Sequence, residues 1–163
     1  MPLSSNILAQ ELSKFMDDKS STFEGSPETG AEFAQKFSSA INTYMSSIGP
    51  TIAISSKALN AAQTALQGNL MTVGPPPGML FPVAITGGMT AYATAVGLGM
   101  QPAFTATPPP APIGPLILAS VMPLGMGGAP ASTCVTTLAS IIDGWFRTGL
   151  AVNNNSGATI SWS

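Results

Sequence analysis

The sequence predicts a mainly α-helical protein with extended Pro/Gly-rich irregular segments and a short C-terminal β-hairpin or added strand. Three observations carry that expectation. Apolar residues recur at helical spacing in four separate stretches. Pro or Gly interrupts the chain every few residues between Met79 and Pro130. A polar turn cluster, Asn153-Asn154-Asn155-Ser156-Gly157, separates two short apolar runs near the end.

The first helix is expected from about Ser5 to Asp17, capped by Ser4 or Ser5, with Leu8, Leu12, Phe15 and Met16 on one face. The polar linker DDKSSTFEGSPETG follows. Thr29-Gly30-Ala31-Glu32 has the form of a capping box, in which hydroxyl and carboxylate satisfy free amides reciprocally. It opens a second helix with the stripe Phe33, Phe37, Ala40, Ile41, Tyr44, Met45 and Ile48, stopped by Gly49-Pro50. A third helix is expected over Ser56 to Leu70, where alanines at 58, 61, 62 and 65 favour helix and allow a close neighbour.

Beyond it, polyproline-like segments are expected at Pro75 to Pro77 and Pro108 to Pro112. Short helices are expected at Met89 to Leu98 and Pro115 to Leu124. The fourth long helix starts at a Ser132 or Thr133 cap and carries Val135, Leu138, Ile142, Trp145 and Phe146, with Arg147 in its last turn, where a cation suits the dipole. Leu150 to Val152 and Ala158 to Trp162 then form the hairpin, with Ile160 and Trp162 on one face. Three regions follow: 1–74 helical, 75–131 an uncharged Pro/Gly/Met-rich contact segment, and 132–163 a helix plus terminal strand.

Charge is scarce and unevenly placed. Only 7% of the 163 residues are charged, under a third of the usual share of about a quarter. Nine of the twelve lie before position 37, and the 85 residues from Ala58 to Ile142 hold none. Three readings of that stretch compete: a membrane segment, a segment covered by partner chains, or an uncharged Pro/Gly/Thr surface. The best membrane window, Gly78 to Met100, is 23 residues long, enough to span. Pro82, Gly87, Gly88, Gly97 and three threonines weaken its transfer energy, and no Lys or Arg lies within 20 residues of it. Ile113 to Gly128 is shorter and broken by Pro115 and Pro123. The N-terminus is acidic and amphipathic, unlike a signal peptide. A membrane role is therefore disfavoured.

Enzymatic chemistry finds little to work with. The chain has no histidine and one cysteine, Cys134, which reads as a small buried hydrophobe because no base is in sight. Glu32 is explained by capping, Asp17-Asp18 by solubility, and Asp143 with Arg147 by an i,i+4 pair. No Gly-rich stretch is followed by Lys-Ser/Thr, and the carboxylates lack ligand spacing. Catalytic, cofactor and metal sites are not expected. Five basic residues against seven acidic ones give no nucleic-acid footprint.

What remains is contact. Methionines and aromatics in and after the charge-free stretch are the interface candidates: Met79, Phe81, Met89, Tyr92, Met100, Phe104, Met122, Met126, Trp145, Phe146 and Trp162. The helix FAQKFSSAINTYMSSI, the uncharged Pro/Gly/Thr stretch, and the helix TLASIIDGWFRTGLAV with its polar turn and terminal strand make the chain similar to small virion structural proteins of tailed bacteriophages. The resemblance implies a neck, tail or baseplate component in the virion, assembled in the host cytoplasm, whose partners are copies of itself and other structural proteins. The alternative is a small membrane-embedded or pore-forming protein using segment 78–128.

Overall fold

The computed structural model describes residues 3–48, 52, 54–75 and 78–162. The protein is mainly helical, with a small antiparallel sheet. Among the described residues the helices are α1 (Ser5–Met16), α2 (Gly30–Met45), α3 (Ser56–Leu70), α4 (Phe81–Gly99), α5 (Gly114–Ser120), α6 (Met122–Met126) and α7 (Ala131–Phe146). Strands β1 (Phe104–Thr107), β2 (Leu150–Asn153) and β3 (Thr159–Ser161) lie in that order.

The expected helix faces are the buried ones. Leu8, Leu12 and Phe15 of α1 and Phe33, Phe37, Ile41 and Tyr44 of α2 reach the core. Thr29 caps α2 by accepting the Glu32 amide at 3.1 Å. The Glu32 carboxylate turns back to the Glu28 amide at 2.8 Å, one residue earlier than an ideal capping box. Helix α2 ends at Met45 rather than reaching Ile48. The stop expected from Gly49-Pro50 and most of the extended segment expected at Pro75 to Pro77 lie outside the described residues.

Helix α4 departs most from expectation, with 19 residues where the sequence predicts about ten. Pro82 lies in the first turn, where a helix loses no hydrogen bond to it, so it opens the helix instead of breaking it. Close packing accounts for the glycines: Gly88 and Gly99 face α3, and Gly97 faces Ala106 of β1 and Trp162. A Cβ at Gly99 would lie 2.3 Å from the Ala58 Cβ, and one at Gly88 would lie 2.7 Å from the Leu66 Cδ1. Small residues on both helices thus let two backbones approach, and the α3–α4 pair is the most extensive contact in the fold.

Helix α7 starts at Ala131, with Pro130 rather than Ser132 or Thr133 in the cap position. Its stripe Val135, Leu138, Ile142, Trp145 and Phe146 is buried as the spacing predicts. The C-terminal hairpin forms, with Ala151 opposite Ile160. Strand β1, which residue spacing does not predict, pairs with β2 antiparallel, Thr105 opposite Val152. The terminal strand β3 therefore pairs with β2 of its own chain, and β1 and β3 are the edges of the sheet. The segment Pro108–Pro112 carries no regular structure and is fixed where the Trp145 indole donates to the Ala111 carbonyl at 2.5 Å.

All three sequence regions feed one hydrophobic core. An aromatic cluster marks where α1, α2 and α4 meet: Phe33 lies 6.2 Å from Phe15 and 5.8 Å from Phe81, both edge-on. A second centres on Phe146, 5.8 Å from Tyr44 and 6.0 Å from Tyr92. The accessible surface is 7766 Å², against about 7,600 Å² for a compact monomer of this mass. The surface of the single chain is thus close to that of a compact monomer.

Candidate contact surface and apolar groove

Folding sorts the eleven interface candidates into two groups. Phe81, Met89, Tyr92, Met100, Phe104, Trp145, Phe146 and Trp162 are buried in the chain's own core. Their side chains serve the fold, because helix α4 turns its Phe81, Met89 and Tyr92 face inward and β1 lays Phe104 against the same core. Only Met79, Met122 and Met126 keep exposed or half-exposed side chains. Sequence spacing could mark these residues as apolar anchors, but it could not say which molecule they anchor.

The surface that is left is nonetheless distinctive. Helix α4 presents Val83, Gly87, Thr90, Thr94 and Leu98 to solvent, spaced three or four apart. Both threonine hydroxyls on this stripe donate at 2.8 Å to carbonyls one turn back, Thr90 to Thr86 and Thr94 to Thr90. Helix α5 lies against the first turns of α4, where the Gly114 amide donates to Thr86 Oγ1 at 3.1 Å. It exposes Leu116 and Leu118. Met79 (71% exposed), Leu80 and Val83 (73% exposed) are exposed as well, and this stretch of the sequence contains no charge. Side-chain size does not single out these residues; the signal in the sequence is the uncharged outer face of the α4 periodicity.

Most of the charge is held on other elements. The nine charges before position 37 sit on α1, α2 and their connection, and three ion pairs occupy helix faces: Lys14–Glu11 at 2.8 Å, Lys36–Glu32 at 3.2 Å and Arg147–Asp143 at 2.8 Å. The amide of Glu28 and the Lys36 ammonium hold the Glu32 carboxyl below its usual range. Asp143 and Arg147 pair as their spacing predicts, and Arg147 also donates to the Leu3 carbonyl, tying down the start of α1.

Two buried tyrosines bridge helices. Tyr44 donates to Asp143 Oδ1 at 2.7 Å. Tyr92 donates at 3.0 Å to Asn42 Oδ1, whose amide donates onward to Gln63 Oε1 at 3.2 Å. Burial raises both phenols above their ordinary value, and the Asp143 carboxylate pushes Tyr44 the same way. These links tie α2 to α7, and α2 to α3 and α4. Among the described residues no cluster of His, Cys, Asp or Glu could hold a metal ion.

A groove of about 720 Å³ opens between α1, α6 and α7. Phe15, Phe33, Phe81, Val135 and Leu138 form its floor, and Val121, Met122, Gly125 and Met126 of the α5–α6 region form its roof. Cys134, half-buried, lines its α7 wall. Comparison with protein-family models, curated proteins and solved structures finds no match, so a functional reading rests on this geometry.

Proposed function

We propose that the protein is a structural subunit of a large assembly, a virion component of the tailed-phage kind its sequence resembles. It acts through contacts with copies of itself and with other structural proteins. The observation that carries this reading is the set of large apolar side chains left exposed on and just before α4 and on α5, namely Met79, Leu80, Val83, Leu116 and Leu118, in a stretch of sequence without charge. Exposed apolar side chains of this kind are the material of interaction sites. Because the core closes within the chain, the subunit brings a preformed face to its neighbours and does not fold upon them. With no charged residue on that face, a neighbour can cover it without desolvating an ion.

Paired substitutions test the proposal. Val83→Lys with Leu116→Glu places charges where the side chains are already exposed, so the fold and its thermal transition stay as they are. Sedimentation velocity and recovery in purified particles report the contact. Loss of self-association or incorporation supports the reading. Unchanged incorporation rejects this face as the contact.

The membrane reading has one observation behind it. Helix α4 is long and apolar enough to span a bilayer, with a mean hydropathy of 1.2 over its best window, yet half of that window is buried inside the protein. Insertion would require α4 to leave α3 and the aromatic clusters. Flotation with neutral and anionic vesicles separates the readings: a subunit stays at the bottom of the gradient, and an inserted protein rises.

A further inference from the structure

The groove between α1, α6 and α7 differs from an ordinary surface crease. Its floor is the core itself, since Phe15, Phe33, Phe81 and Leu138 are buried and still line it. No lining residue is charged, so a charged group drawn inside would lose its hydration without gaining a counter-ion. The volume, about 720 Å³, lies within the roughly 300–1,000 Å³ of small-molecule sites. An α-helix about 10 Å across would fill it in less than two turns, which favours a slender occupant over a docked helix. The roof is weakly tied: α6 buries none of its residues. Met16, Met122 and Met126 give the lining side chains that repack around different shapes.

We propose that this groove binds a single uncharged hydrocarbon chain, of the kind carried by a long-chain alcohol or a monoacylglycerol. The chain lies on the aromatic floor, with its hydroxyl end at Ser26 on the exposed rim. The matching of charge selects the ligand: an uncharged lining suits an uncharged chain. This site is separate from the α4–α5 face and stands whether or not that face joins subunits.

The native protein carries its own reporter, because Cys134 lines the groove and is the only cysteine. Its rate of alkylation by N-ethylmaleimide is measured with and without saturating 1-dodecanol. We expect a fall of tenfold or more. Fluorescence of N-phenyl-1-naphthylamine reports binding directly, and dodecanol displaces the dye. Ala131→Trp narrows the α7 wall and abolishes dye binding while the circular dichroism of the protein is retained. If that variant fails to fold, Gly125→Leu blocks the groove from the roof, where a Cβ meets nothing within 4 Å. An alkylation rate unchanged by dodecanol overturns the proposal. Dye binding that survives in a folded blocked variant also overturns it, because the dye then sits elsewhere. Protection of Cys134 by an added structural protein but by no hydrocarbon chain makes the groove a polypeptide site, and the proposal falls in that case too.

Discussion

The Tyr44 hydroxyl donates a 2.7 Å hydrogen bond to Asp143 Oδ1, joining α2 to α7 across 99 residues of sequence. The same carboxylate accepts from Arg147 through its other oxygen at 2.8 Å, so one acidic side chain holds a helix pair and a helix end together. Tyr44→Phe removes the donor and leaves the ion pair, and we expect a loss of about 1–2 kcal/mol in urea unfolding. Asp143→Ala removes both partners, and its cost exceeds that of Tyr44→Phe. Equal losses from the two variants would show that the phenol, not the ion pair, carries the linkage.

Alkaline pH tests the same environment. Below pH about 10 both phenols are protonated in the folded and unfolded chains. Above it the unfolded chain releases protons that the folded chain keeps, because burial raises Tyr44 and Tyr92 from their ordinary 10.0. Stability should therefore fall as pH rises past about 10. The doubly substituted Tyr44→Phe, Tyr92→Phe protein should show a shallower decline across the same range.

Much of this architecture is legible from residue spacing. Phe33, Phe37, Ile41 and Tyr44 mark one helix face, since apolar residues three and four apart line up only when the chain is helical. The Asn153–Gly157 turn likewise fixes the hairpin, since Asn153 Oδ1 accepts the amides of Asn155 and Ser156 and Gly157 takes a φ of +70°. The full length of α4 is not legible, because Pro82 and the glycines count as breakers when position and packing are unknown. Strand β1 is hidden because Phe104–Thr107 gains its identity from β2, which lies far along the chain. The contact candidates suffer from a deeper ambiguity. Large apolar side chains signal burial, and burial within a chain looks the same as burial between chains.

Phe37 tests the first aromatic cluster. It lies 5.6 Å from both Phe33 and Phe81 and is fully buried. Phe37→Ala should cost about 3–5 kcal/mol in equilibrium unfolding. A loss under half of the lower figure would place the ring at the periphery.

The α3–α4 approach can be tested by moving one methyl group. Gly99→Ala puts a Cβ against the Ala58 Cβ at 2.3 Å, and overpacking of that kind costs about 1–3 kcal/mol. Combined with Ala58→Gly, the clash disappears and a double-mutant cycle should return most of the loss. Additive effects of the two substitutions would mean that the backbones do not meet there.

Trp162 distinguishes a terminal strand that folds back from one that reaches another chain. It is fully buried, and a Cβ on Gly149 would lie 2.7 Å from its ring. Trp162→Ala should therefore destabilise the isolated protein by about 3–5 kcal/mol. Its indole N–H has no partner among the described residues, so Trp162→Phe keeps most of the packing without an unpaired donor and should cost less. A stable protein after Trp162→Ala, with particle incorporation lost, would reverse this assignment.

Helix α1 packs along α7, and Arg147 reaches back to the Leu3 carbonyl. On a ribosome that pairing dictates a schedule. The apolar face of the first helix can meet α2 soon after it emerges, but its larger contact must wait until α7 has been made. Closing so long a loop is slow, and exposed apolar helices invite wrong company in the meantime. Nascent chains halted before Ala131 should accordingly be more sensitive to protease in α1 than the finished chain, and extension past Arg147 should raise the protection of that helix in one step.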